Sequence, residues 1–136
     1  TNWVVGHVHS GALGWVGMIS FAVLYWLAPR LWNRPLAKPG WATTHFWLAT
    51  GGIVLYTVSM WAAGLMEGLM WRGVDGAGQL KYPNFTEIVT QLEPFYWMRV
   101  LGGALYLTGA LMMMYNFVLT ARAAHRESTP PAAALA

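Results

Sequence analysis

Cysteine is absent from the 136-residue chain. Its absence excludes disulfides, thiolate metal sites and cysteine nucleophiles. Charge is scarce as well: eight Lys and Arg and five Asp and Glu make up only 10% of the residues, against 57% hydrophobic. A soluble domain of ordinary composition carries more than twice that share of charge. Asp, Glu, Lys and Arg are missing altogether from Thr1 to Pro29 and from Trp41 to Met66, and again between Arg99 and Arg122. The few basic residues are not gathered into a patch with aromatic platforms, so nucleic acid is not an expected partner. No nucleophile–base pair, phosphate-cradling loop or carboxylate dyad is present, and no internal repeat or soluble domain stands out.

What the chain does hold is apolar length and tryptophan. A charge-free run of this size, at about 1.5 Å per helical residue, crosses a hydrocarbon core of roughly 30 Å. Nine Trp suit a lipid-facing protein, where Trp and Tyr anchor at the interfaces. The expected architecture is an all-α membrane protein with three transmembrane helices, over about residues 3–28, 41–66 and 94–119. Pro29-Arg30 is expected to end the first, Thr43 or Thr44 to cap the second, and Pro94 to sit in the first turn of the third. Residues 86–92 are expected to form a short interfacial helix with Ile88, Val89 and Leu92 on one face. The first loop carries Arg30, Arg34 and Lys38 and no acid, the C-terminal end carries Arg122 and Arg126, and the second loop is mixed. The positive-inside rule then puts the first loop and the C-terminus in the cytoplasm and the start of the first span towards the outside. Residues 127–136, rich in Ser, Pro and Ala, read as a disordered tail. The first residue is Thr and no basic region precedes the apolar run. The expectation is therefore a chain cut at its N-terminus, not one that opens on a signal peptide.

Within the first span lies Gly6-His7-Val8-His9-Ser10-Gly11. Ionisable groups at membrane depth are costly and usually functional. Both imidazoles lie roughly 5–10 Å below the start of their helix at about 1.5 Å per residue. Residues two apart on a helix differ by about 200° in direction, so His7 and His9 point to nearly opposite sides. That spacing is poor for chelating one small ion and suited to holding two separate objects. A hydrogen bond from each ring to a neighbouring helix is the plainer alternative. Haem ligation fits better, because neutral imidazole is an ordinary axial ligand and Gly11 and Gly14 leave an open shelf on the side of His7. Ala12, Leu13 and Val16 offer an apolar wall near His9.

Four other features call for comparison. His45, beside Phe46 and Trp47, reads as an interfacial hydrogen-bonding residue, and His125, in the basic C-terminal end, as solvated. Met112, Met113 and Met114 are consecutive on a helix, point in three directions and read as packing residues. Glu67, near the outer surface, stands as a single carboxylate at an interface.

The run Thr1-Asn2-Trp3-Val4-Val5-Gly6-His7-Val8-His9-Ser10-Gly11-Ala12-Leu13-Gly14-Trp15 resembles the histidine-bearing helix near the end of the catalytic subunit of cbb3-type cytochrome c oxidases, the C family of haem–copper oxidases. The similarity continues through Tyr25-Trp26-Leu27-Ala28-Pro29-Arg30-Leu31-Trp32, His45-Phe46-Trp47-Leu48-Ala49-Thr50, Gly68-Leu69-Met70-Trp71-Arg72 and Arg99-Val100-Leu101-Gly102-Gly103. The resemblance implies that residues 1–126 are the last three helices of the haem–copper oxidase bundle. It implies that His7 is the axial ligand of a high-spin haem b and His9 an axial ligand of a neighbouring low-spin haem b. It further implies copper in the intact subunit, held by residues outside this chain. The implied activity is dioxygen reduction to water with electrons from cytochrome c. The implied partners are the remaining helices, membrane-anchored cytochrome c subunits, dioxygen and the lipid of a bacterial inner membrane. The chain by itself is expected to be inactive. A nitric oxide reductase of the same superfamily, a three-helix haem electron-transfer protein and a cofactor-free membrane fragment are the alternatives.

Overall fold

In lipid every backbone polar group must find its partner within the protein, and a continuous apolar segment does so by coiling into a helix. The computed structural model describes residues 1–128 and contains three long helices: Asn2–Leu31, Pro39–Arg72 and Glu93–Ser128. Each is long and apolar enough to cross a membrane. Each also runs past the expected span at one or both ends, because the flanking polar residues continue the ladder beyond the apolar core. Two local expectations are corrected. Pro29 lies inside the first helix, which ends at Leu31. Lys38 precedes the first turn of the second helix, with Pro39 at its start, and Thr44 instead turns its hydroxyl back to the Gly40 carbonyl at 3.2 Å. Pro39 thus takes the position that a proline tolerates best, where its missing N–H costs nothing.

The second helix is the central one and the most buried of the three, packed by the first helix on one side and the third on another. Two glycine pairs allow the close approach. A Cβ on Gly102 would lie 2.7 Å from the Gly52 carbonyl oxygen and 2.8 Å from the Tyr56 nitrogen, so the backbones of the second and third helices touch there. Beside the start of the first helix Gly64 meets the backbone of Trp3, and Gly6 lies against Trp61 and Met60. Trp3 and Trp61 stack with centroids 5.2 Å apart.

Between the second and third helices, Asn84 caps the short helix Phe85–Gln91, its side-chain oxygen accepting from the Thr86 N–H at 3.0 Å. Ile88 and Leu92 are buried with Met60 and Ala63, and Val89 is half-buried, as the predicted face requires. Among the described residues the only pairing of strand type is the single bridge Val74–Leu80. The tail expected over 127–136 lies outside the described residues, apart from Glu127 and Ser128, which continue the third helix.

At the opposite end the first loop is clasped by the third helix. Asn116, fully buried, accepts from the Lys38 N–H at 2.9 Å and donates to the Lys38 carbonyl at 2.8 Å. Thr120 accepts from the Ala37 N–H at 3.0 Å. Substituting Asn116→Leu orphans the Lys38 N–H, at a cost of about 1–3 kcal/mol, and leaves the Lys38 carbonyl with the Trp41 N–H at 3.1 Å as its partner. The expected result is a clear drop in the apparent melting temperature of the purified complex. An unchanged melting temperature rules the clasp out.

Candidate functional site

The first helix begins α-helical, widens to a π-helix over Ser10–Gly17, and returns to α-helix at Met18. His7 and His9 therefore stand on the last α-helical turn before the change. Short π segments in helices are often found at functional sites. Two contacts accompany it. The Tyr106 hydroxyl of the third helix donates to the Leu13 carbonyl at 3.0 Å, and the same hydroxyl presses on Gly17, where any Cβ would collide with it. A hydroxyl inserted into the ladder competes for a carbonyl, one of the recognised causes of local distortion. Ser10 adds another, its hydroxyl donating to the His7 carbonyl at 2.7 Å.

The two rings are separated as the α-helical spacing predicts. His9 is half-buried on the side of the second helix, where it stacks on Tyr56 with centroids 4.8 Å apart and planes 29° apart. Its Nδ1 lies 2.8 Å from the Val5 carbonyl oxygen. A carbonyl only accepts, so Nδ1 carries a proton, and in the neutral ring the lone pair is then on Nε2. His7 is exposed, and among the described residues its ring makes no hydrogen bond. Gly11 beside it is open, with nothing within 4 Å of a built Cβ. Gly14 is not part of that shelf: it faces Ile53 of the second helix, 3.7 Å from its built Cβ. The π segment explains the difference. Its wider turn advances each residue by less than the 100° of an α-helix, which carries Gly14 away from the side of His7.

This donor set fits axial ligation. A ligating imidazole commonly gives its second ring N–H to a carbonyl, which fixes the tautomer and orientation, and His9 already does so. His7 has room beside it for a flat group and no competing partner among the described residues.

Of the remaining candidates, two are more enclosed than their sequence positions suggest. His45 is hydrogen-bonded and more enclosed than its place near a helix start suggests: it is 1% exposed, with Nδ1 3.0 Å from the Tyr25 hydroxyl, an edge contact to Phe21 and Gly109 packed against it. Its Nε2 is buried without a partner among the described residues. A cavity of about 240 Å³ borders it, lined also by Met18, Phe21, Ala22, Tyr25 and Ala42. Glu67 is buried too. It accepts from the Asn2 backbone N–H at 2.7 Å and from Asn2 Nδ2 at 3.0 Å, and Asn2 Nδ2 also reaches the Tyr96 hydroxyl at 3.2 Å. The carboxylate sits at the N-terminus of the first helix, where negative charge is favoured. Met113 is buried, Met112 intermediate and Met114 exposed, as three directions require; His125 is exposed. Sequence reasoning missed Tyr56 and Tyr25, because which residue of a neighbouring helix meets a histidine depends on the crossing register. Only the glycine at 52, one turn before Tyr56, hints that the helices come close there.

Three long apolar helices, the first and third packed on the second, define a multi-pass membrane protein. Residues 1–105 match the family described as cytochrome c and quinol oxidase polypeptide I, and the chain belongs to that family. The chain is 50% identical to a cytochrome c oxidase subunit 1 homolog of Bradyrhizobium diazoefficiens, with 98% of this chain and 24% of that protein covered. It is 44% identical to the cbb3-type cytochrome c oxidase subunit CcoN1 of Stutzerimonas stutzeri, over 100% of this chain and 29% of that protein. A nitric oxide reductase polypeptide from Stutzerimonas stutzeri is more distant, at 28% identity over 93% of this chain and 27% of that protein. The chain spans about a quarter of the length of these relatives. Membership of the family implies haem cofactors.

Proposed function

We propose that residues 1–126 are a C-terminal section of the catalytic subunit of a cbb3-type cytochrome c oxidase, an enzyme of aerobic respiration that reduces dioxygen to water with electrons from cytochrome c. The observation that carries this reading is the presentation of two imidazoles on different sides of one helical turn, His7 open and His9 with its Nδ1 proton committed to Val5. His7 would hold the high-spin haem b and His9 the low-spin haem b. When bound, the haems supply one-electron transfer and, together with copper, the reduction of dioxygen. The work of this chain is to hold and orient. His9 presents Nε2 with its tautomer fixed, Gly11 leaves space beside His7, and the Gly52–Gly102 contact keeps the supporting helices at a fixed distance.

The copper ligands and a second histidine for the low-spin haem belong to the remaining helices of the same subunit. The further partners are membrane-anchored cytochrome c subunits. The basic first loop and C-terminal end support a cytoplasmic C-terminus in a bacterial inner membrane, with the histidine pair towards the periplasm. The higher identity to the oxidase subunits than to the nitric oxide reductase supports the choice between those two chemistries.

The test is to purify the complete subunit with its partners and assay haem content and gas consumption. Two haem b, in addition to the haem c of the cytochrome c subunits, and oxygen uptake driven by reduced cytochrome c are expected. Residues 1–136 alone are expected to give no oxygen uptake. Nitric oxide consumption without oxygen uptake by the complete subunit overturns the assignment in favour of the reductase, and oxygen uptake by the chain alone overturns the fragment reading.

A further inference from the structure

We propose that Tyr56 is a positioning residue for His9, setting the plane of its imidazole and through it the electronic properties of the group that His9 holds. The inference rests on the reading of His9 as a ligand. It starts from two constraints on one ring. The hydrogen bond from Nδ1 to the Val5 carbonyl, at 2.8 Å, fixes the tautomer and pins one edge. It leaves the ring free to rock about that edge. The face of Tyr56, 4.8 Å away between centroids and inclined by 29°, removes that freedom. Stacked rings of this kind attract beyond their buried area.

Tyr56 is itself firmly mounted. Its backbone lies at the tightest approach of the second and third helices, where a Cβ on Gly102 would stand 2.8 Å from its nitrogen and 3.2 Å from its Cα. The Ser59 hydroxyl donates to its carbonyl at 2.8 Å, and its ring packs on the cluster of Met60, Ala63, Ile88 and Leu92. Among the described residues its hydroxyl makes no hydrogen bond, so the ring and not the phenol does the positioning. Groups that orient a ligating histidine tune both affinity and potential. The orientation of an axial imidazole also governs the g anisotropy of a low-spin ferric haem.

The experiment uses the complete oxidase complex and reads electron paramagnetic resonance and the midpoint potential of each haem. Tyr56→Phe keeps the ring and is expected to match the wild type in both. Tyr56→Leu removes the ring and is expected to shift the largest low-spin g-value and the low-spin potential while the high-spin haem is unchanged. Leucine and phenylalanine giving the same low-spin signature as wild type overturns the proposal. Should Tyr56→Leu fail to assemble, wild type carrying ring-deuterated tyrosine is compared with Tyr56→Phe by electron spin-echo envelope modulation. A deuterium modulation at the low-spin haem that disappears in Tyr56→Phe supports the stack, and modulation absent from the wild type overturns it. His9→Ala separates this outcome from the underlying reading: a low-spin haem that survives His9→Ala refutes the ligand assignment itself, independently of Tyr56.

Discussion

Replacing His9 by Leu in the complete subunit is expected to abolish the low-spin haem signal and leave the high-spin signal in place, and replacing His7 by Leu is expected to do the reverse. The separation follows from geometry. His9 lies against the second helix beside Tyr56, whereas His7 is exposed on another side of the same turn. A group held by one ring therefore shares no ligand with a group held by the other. Under the proposed function, loss of either histidine is expected to stop oxygen uptake for different reasons: His7→Leu would remove the site of reduction, His9→Leu the path that feeds it. Neither substitution is expected to unfold the helix. Leu is a good helix former and membrane depth favours it. The measurement is a pair of reduced-minus-oxidised spectra with haem quantitation. Equal loss of both haems from each variant would break the assignment of one face to each.

The second large effect is structural. Gly102→Val is expected to disrupt the subunit, because its Cβ would stand 2.7 Å from the Gly52 carbonyl oxygen and 2.8 Å from the Tyr56 nitrogen. Both are backbone atoms of the central helix and cannot swing aside. Overpacking against mobile side chains costs about 1–3 kcal/mol, occasionally more, and a clash with backbone on two sides belongs at the top of that range. The helices have to part, and Tyr56 moves with them. Gly103→Ala is the control, since nothing lies within 4 Å of a Cβ there. A several-degree loss of thermal stability in Gly102→Val, with Gly103→Ala unchanged, is the expected pattern. Equal stability of the two variants would exclude the helix crossing described above.

Much of this was legible in the chain itself. The three spans follow from charge-free runs, because lipid leaves an apolar backbone no option but the helix. The short helix over Phe85–Gln91 was readable from the spacing of Ile88 and Leu92. The separation of His7 and His9 needed only the angle per residue. What escaped was everything set by neighbours. His45 lies six residues from the start of its helix, and nothing in its neighbours in sequence shows that Tyr25, Phe21 and Gly109 enclose it. Glu67 looked solitary, although Asn2 was within reach across the bundle. Gly14 was assigned to the side of His7 on the assumption of one constant helical period, and the π segment breaks that assumption.

The same π segment has a consequence for how this helix tolerates changes in length. A widened stretch accommodates one residue more than an α-helix would between the same two ends. Residues Asn2–His9 and Met18–Leu31 are regular on either side and packed in fixed directions. Removing one residue from Ser10–Gly17 is therefore expected to tighten the stretch to α-helix while His7 and His9 keep their aim and Met18–Leu31 keeps its seat. An addition or deletion anywhere else in the helix turns one half against the other by about 100°. Ser10–Gly17 is thus an expansion joint, the one place along this helix where its length and its aim are independent.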